Sequence, residues 1–137
     1  MFGAVIVAHK GLAEGLLHAA EMILGSLEGI AVVSVELNDK PESLESKIRK
    51  AIQETGRSGE GVVLLTDMFG GTPTNIGMSF LEAGKVELVT GVNLPMLIKF
   101  LSHREEKDLE KLGKLLRTEG QRSIYLASEM LSGAVEF

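Results

Sequence analysis

Three places in the 137-residue chain carry side chains able to do chemistry: His9 after one apolar run, Asp67 after another, and the stretch Gly70-Gly71-Thr72-Pro73 that follows Asp67. A histidine held at the end of a strand presents an imidazole that can serve as base, metal ligand or nucleophile. A carboxylate placed beside it can accept one ring N–H, fix the tautomer and leave the other nitrogen free to attack. For Asp67 taken alone, a turn-forming role is the simpler expectation. Gly70 and Gly71 let the backbone turn tightly and approach a ligand, and the helix that Pro73 begins offers N–H groups to an anion. The Thr72 hydroxyl is expected to cap that helix, with a contact to an anion as the alternative.

These residues need a frame. "GAVIVA" (3–8), "IAVVSVEL" (30–37), "GVVLLT" (61–66) and "KVELVT" (85–90) are short apolar runs rich in β-branched residues, as in strands buried on both faces. Between them lie helical patterns. Leu12, Leu16, Ala19, Ala20, Ile23 and Leu24 form a stripe that Gly25 ends, and Pro41 to Thr55 places Leu44, Ile48 and Ile52 four apart. Further helices are expected from Pro73 and from Leu94-Pro95. The charged stretch "REEKDLEKLGKLLRTEG" reads as an amphipathic helix with Leu109, Leu112, Leu115 and Leu116 inward and Gly120 closing it. "RSIYLA" (122–127) reads as a last short strand.

Strands that alternate with helices imply crossover connections. The fold class is therefore α/β: a doubly wound, mostly parallel four-stranded sheet with helices on both faces, in a single domain spanning 1–137. Open sheets of this kind bind ligands beyond the carboxyl ends of their strands. That edge collects His9 from the first strand, Asp67 and the glycine turn from the third, and Gly91-Val92-Asn93 from the fourth.

Composition narrows the chemistry. A formal charge of -5 argues against affinity for nucleic acid, and the lack of cysteine removes disulfides, thiolate metal sites and thiol nucleophiles. No apolar run approaches the roughly 20 residues that cross a bilayer, so a cytoplasmic location is expected. Neither nucleotide-binding glycine motif is present, and no metal-binding spacing of histidines occurs. His18 is expected on a solvated helix face and His103 at a surface or capping position. Met22, Met68, Met78, Met96 and Met130 read as core or turn filler. A receiver-type regulator would also carry an aspartate after its third strand, but it needs an acidic pair after the first. Ala8-His9-Lys10 stands there instead.

Taken together, "VAHKGLAEGLLHAAEMILG", "VLLTDMFGGTPTN" and "TGVNLPML" resemble the enzyme IIA domain of the mannose family of the bacterial phosphoenolpyruvate:sugar phosphotransferase system. The resemblance covers nearly the whole chain, in order. It implies a phosphohistidine carrier, a phosphotransferase component that needs no cofactor. His9 would accept a phosphoryl group on Nε2 from the phosphocarrier protein HPr and pass it to a IIB component, with the membrane reached only indirectly through IIC and IID components. Asp67 would hold the Nδ1–H of His9, and Thr72, Gly70 and Gly71 would contact the phosphoryl oxygens. The family also implies a homodimer that exchanges a C-terminal strand, for which "RSIYLA" is the candidate. Many relatives have glycine directly after the active histidine, whereas this chain has Lys10, a cation that could attract the phosphoryl group.

The chain is expected to be a stand-alone IIA. Two other functions use the same site: a regulatory module read by a partner with no sugar downstream, and the IIA-like phosphoryl donor of dihydroxyacetone kinase.

Overall fold

The computed structural model describes residues 1–133. Its order is β1 (Gly3–His9), α1 (Leu12–Leu24), β2 (Ile30–Val35), α2 (Pro41–Thr55), β3 (Val62–Thr66), α3 (Thr72–Met78), β4 (Val86–Thr90), α4 (Leu94–Ser102), α5 (Leu109–Arg122) and α6 (Ala127–Leu131). The four strands pair in parallel in the order β2-β1-β3-β4. The α/β doubly wound class expected from the alternating pattern is the class observed.

Side chains in a strand alternate between faces, and β1 divides accordingly. Ala4, Ile6 and Ala8 enter one core with Ala13 and Ala20 of α1, Met96, Leu97 and Phe100 of α4, and Leu109, Leu112 and Leu116 of α5. Val5 and Val7 enter the other with Leu44, Ile48 and Ala51 of α2, and Ile76 of α3 packs against it. Covered on both sides, β1 and β3 can afford no polar residue before their carboxyl ends. After β1 the chain winds to β2, then returns past β1 to β3, so the winding reverses between β1 and β3. At this switch point the loops leaving two adjacent strands diverge, which leaves a crevice between them.

Several local expectations need correction. In α1 the buried positions are Ala13 and Ala20, with Leu16 and Leu17 packed beside them, while Leu12, Ile23 and Leu24 are exposed. The apolar stripe is wider than the face that the sheet covers. Met22 is 89% exposed and fills no core, and Met68 and Met78 are exposed too; Met96 is the buried one. The charged helix starts at Leu109, not near Arg104, because Asp108 caps it by accepting hydrogen bonds from the amides of Glu110 (3.0 Å) and Lys111 (3.3 Å). Gly120 does not close this helix, which runs on to Arg122. A Cβ at Gly120 would meet the Met96 side chain at 2.7 Å, so close packing of α5 on α4 accounts for that glycine.

Arg104, read as part of the charged helix, is instead buried. It donates to the carbonyls of Phe2 (3.1 and 3.0 Å) and Glu28 (2.6 Å), with its guanidinium over the Phe100 ring at 5.4 Å. It fastens the loop after α4 to the amino ends of β1 and β2, the edge opposite His9.

The expected strand over 122–127 is also absent from the single chain. Arg122 ends α5, Ala127 starts α6, and the residues between belong to neither helix nor strand. A strand needs a hydrogen-bonding edge, and none of the four described strands pairs with this segment.

Candidate functional site

The site forms where the crevice opens. Register pairs Val7 with Thr66, so Asp67 continues β3 beside Ala8 and the end of β1. Asp67 Oδ2 accepts two hydrogen bonds from one residue, from the backbone N–H of His9 at 2.9 Å and from its ring Nδ1 at 2.7 Å. The carboxylate can only accept, so the short ring contact selects the tautomer or charge state with hydrogen on Nδ1. Nε2 is then the nitrogen left for chemistry. The His9 side chain is 55% exposed and that of Asp67 is 11% exposed, so a held, sheltered carboxylate orients a ring that faces outward.

Burial raises the Asp67 carboxyl pKa, but the His9 amide, the ring hydrogen bond and the attraction of the ring together outweigh it, and the group lies below its ordinary 3.8. Its other oxygen, Oδ1, is buried with no partner among the described residues. The structure thus brings His9 and Asp67 together as a pair, and the turn-forming role does not describe Asp67.

Behind Asp67, Gly70 and Gly71 both take positive φ, 85° and 84°. Gly71 combines this with ψ 171°, a region open essentially to glycine alone. Gly71 is also the N-cap of α3, and no side chain caps that helix. Thr72 is therefore not the cap; it is the first helical residue, exposed on the carboxyl edge.

Two residues that the sequence reading passed over hold this loop from inside. Thr66 and Thr74 are fully buried, with their hydroxyls 3.3 Å apart, and the Thr74 hydroxyl donates to the Met68 carbonyl at 2.7 Å. Threonine in an apolar strand end and after a helix-starting proline gives no distinctive pattern. A signal was available only in asking where two buried hydroxyls find partners.

Lys10 follows His9 with φ +24°, the one positive φ outside glycine among the described residues. Its amide is bound to the Val35 carbonyl at 2.9 Å and Gly11 continues in the left-handed region, so the β1–α1 turn holds a lysine where backbone sterics favour glycine. The remaining candidates lie elsewhere. His18 is exposed on α1, and His103 ends α4 with Nδ1 3.2 Å from the Lys99 carbonyl. Asn93 caps α4 through the Met96 amide (3.0 Å) and donates to the Gly120 carbonyl (3.1 Å), so it serves helix packing. Among the described residues, no group of three His, Asp or Glu side chains could hold a metal ion, and no helix is long and apolar enough to cross a membrane.

The family model described as EIIA-man, "PTS system fructose IIA component", matches residues 3–116. The chain belongs to this family. Among its relatives, the fructose-specific EIIA component of the phosphotransferase system of Bacillus subtilis is 32% identical over 132 residues, 96% of this chain and 90% of that protein. The mannose-specific EIIAB component of Escherichia coli is 32% identical over 103 residues, 74% of this chain but only 32% of that longer protein. The crystal structure of a IIA protein associated with the fucose utilization operon of Streptococcus pneumoniae matches with a TM-score of 0.83 and 28% identity, over 95% of this chain and 96% of that one.

Two consequences for this EIIA-man chain can be measured. At Lys10, the left-handed penalty of about 1–2 kcal/mol exceeds the extra chain entropy of glycine, about 0.5–1 kcal/mol. Lys10→Gly is therefore predicted to raise unfolding free energy by roughly 0.5–1 kcal/mol in urea titrations, and a loss of stability would count against the strain.

Asp67 has a folded pKa below its unfolded value, so its contribution is complete above 3.8 and is lost as pH falls through the folded value. Asp67→Asn should destabilise the protein by about 1–3 kcal/mol at neutral pH. The gap to wild type should close in acid; an equal gap at both ends of the titration would contradict the pairing.

Proposed function

We propose that the chain is a phosphohistidine carrier that accepts a phosphoryl group from HPr on His9 Nε2 and delivers it to a IIB component for sugar uptake. The 2.7 Å contact of His9 Nδ1 with Asp67 Oδ2, beside an exposed ring, is the observation that carries this reading. Membership of a family of phosphotransferase-system IIA components supports it.

In the forward step, the Nε2 lone pair forms a bond to phosphorus as the bond from phosphorus to the donor's imidazole nitrogen breaks. The His9 ring, keeping hydrogen on Nδ1, acquires positive charge that the Asp67 carboxylate stabilises. Delivery reverses the roles: the acceptor nitrogen attacks, and His9 leaves as a neutral imidazole. Phosphoryl transfer of this kind asks mainly for alignment and charge stabilisation, so no cofactor is needed. We assign the phosphoryl oxygens to the Thr72 hydroxyl and to the amides of the Gly70-Gly71 turn, with the Lys10 ammonium supplying positive charge. Such a carrier works in the cytoplasm, where it meets the membrane only through its IIC and IID partners.

The carrier is a homodimer in this reading. β4 is an edge strand, and beside it runs a groove of about 930 Å³ lined by Val86, Leu88, Leu109, Gly113 and Ile124 among others. Ile124 and Leu126 are exposed in the single chain. A C-terminal segment exchanged between two copies would pair the edge of β4 beyond Val86, which Glu82 already pairs, and bury these apolar side chains.

Incubation with phosphorylated HPr should place acid-labile phosphate on the wild-type protein and none on His9→Ala. Asp67→Asn should be labelled at least tenfold more slowly, because the ring no longer has a carboxylate to hold its tautomer and charge. Equal labelling of the His9→Ala protein would refute the assignment. Sedimentation should give twice the chain mass for wild type and a monomer for Ile124→Glu combined with Leu126→Glu; a monomeric wild type would remove the exchange.

A further inference from the structure

Thr74 occupies an unusual position relative to Asp67. Its hydroxyl has one hydrogen, and the Met68 carbonyl at 2.7 Å can only accept, so that hydrogen goes to Met68. The 3.3 Å contact with Thr66 must then run the other way, with the Thr66 hydroxyl donating to Thr74. One buried oxygen thus grips the residue before Asp67 and the residue after it.

The rest of the loop offers little competing hold. Met68 and Phe69 are exposed, and Gly70 and Gly71 have no side chains to pack. Beyond the β1–β3 ladder, which ends at the Val7–Thr66 pair, the described hydrogen bonds of residues 67–71 to other segments are those of Asp67 to His9, of Thr74 to Met68, and of the Asn75 amide to the Gly71 carbonyl. On the other side, the Thr66 carbonyl accepts from the Val92 amide at 2.9 Å, which anchors the end of β3 to the turn after β4. The direction in which the Asp67 carboxylate leaves the backbone is therefore set between two points, and Thr74 supplies one of them entirely.

We infer that Thr74 is a positioning residue for the phosphocarrier site: its hydroxyl clamps the residues on both sides of Asp67, the Thr66 hydroxyl and the Met68 carbonyl, and so aims the carboxylate at His9 Nδ1. The inference rests on the phosphocarrier reading for its consequence in transfer, but not for the geometry it asserts. A buried threonine that only satisfies its own hydroxyl would lower stability when changed and leave the His9 ring as it was.

Nitrogen-15 spectra of the His9 ring in unphosphorylated protein separate the two. In wild type, hydrogen should reside on Nδ1. Thr74→Val, which keeps the shape and removes the hydroxyl, should move the ratio of the two tautomers about five- to tenfold toward Nε2–H. Thr74→Ser should restore it. In an Asp67→Asn background, Thr74→Val should produce no further change, because the group through which it acts is gone.

Should Thr74→Val not fold, Thr66→Val tests the same clamp. It removes one of the two contacts and should move the ratio in the same direction by a smaller factor, roughly two- to threefold. An unchanged tautomer ratio in a folded Thr74→Val protein, or in Thr66→Val where that variant stands in, overturns the inference. So does a shift that persists undiminished in the Asp67→Asn background. The ratio is read without any phosphoryl donor. A wild-type protein that HPr cannot label would therefore defeat the carrier reading while leaving the role of Thr74 to be decided by its spectrum.

Discussion

One carboxylate oxygen, Oδ2 of Asp67, takes hydrogen bonds from both the main chain and the ring of His9, and the architecture of the carboxyl edge follows from that double contact. The backbone bond fixes where His9 begins; the ring bond fixes how its imidazole is turned. Neither is possible unless β1 and β3 are adjacent and parallel with Val7 opposite Thr66. A one-residue slip in a strand moves every side chain to the opposite face, so the apolar alternation of β1 between two helix layers also enforces the register that the site needs. Core packing and site geometry are the same constraint seen at two ends of a strand.

The turns around this contact carry conformational cost. Gly71 lies in a region that only glycine occupies readily, and Lys10 has a positive φ without glycine's freedom. The two cases differ in how they are met. At residues 70–71 the chain supplies the residue type the backbone requires, and the loop is held by the buried hydroxyl of Thr74. At Lys10 it does not, and the Lys10 amide bonded to Val35 secures the turn instead. A strained non-glycine backbone is the kind of local cost that persists where the side chain itself is useful, and an ammonium group beside the phosphoryl-accepting ring proposed for His9 would be such a use.

Much of this was legible in the sequence because burial leaves periodic traces. Four β-branched runs separated by helical spacing imply the sheet, and two chemically capable residues at the ends of strands one and three imply a meeting at the carboxyl edge. What stayed hidden lacked periodicity. Arg104 sits in a run of charges that looks solvated, yet it turns inward to reach Phe2 and Glu28, contacts between residues far apart in sequence. Thr72 and Thr74 look interchangeable as letters, but one is exposed and the other buried, since α3 begins one residue before its proline. The α1 stripe exceeds the buried face for a related reason: hydrophobicity marks which residues could be buried, and the width of the covering sheet decides which of them are.

The division of exposure across the site bears on what kind of reaction suits it. A substrate-converting enzyme gains by closing around its reactant and excluding water. Here the Asp67 side chain is sheltered and the His9 ring is largely exposed, and Met68 and Phe69 of the loop after Asp67 are exposed as well. Such an arrangement leaves the ring reachable from outside while keeping its tautomer constant, which is what a group exchanged between two macromolecular partners requires. Closure would then be provided by each partner in turn, and the fold need only keep one imidazole aimed between encounters.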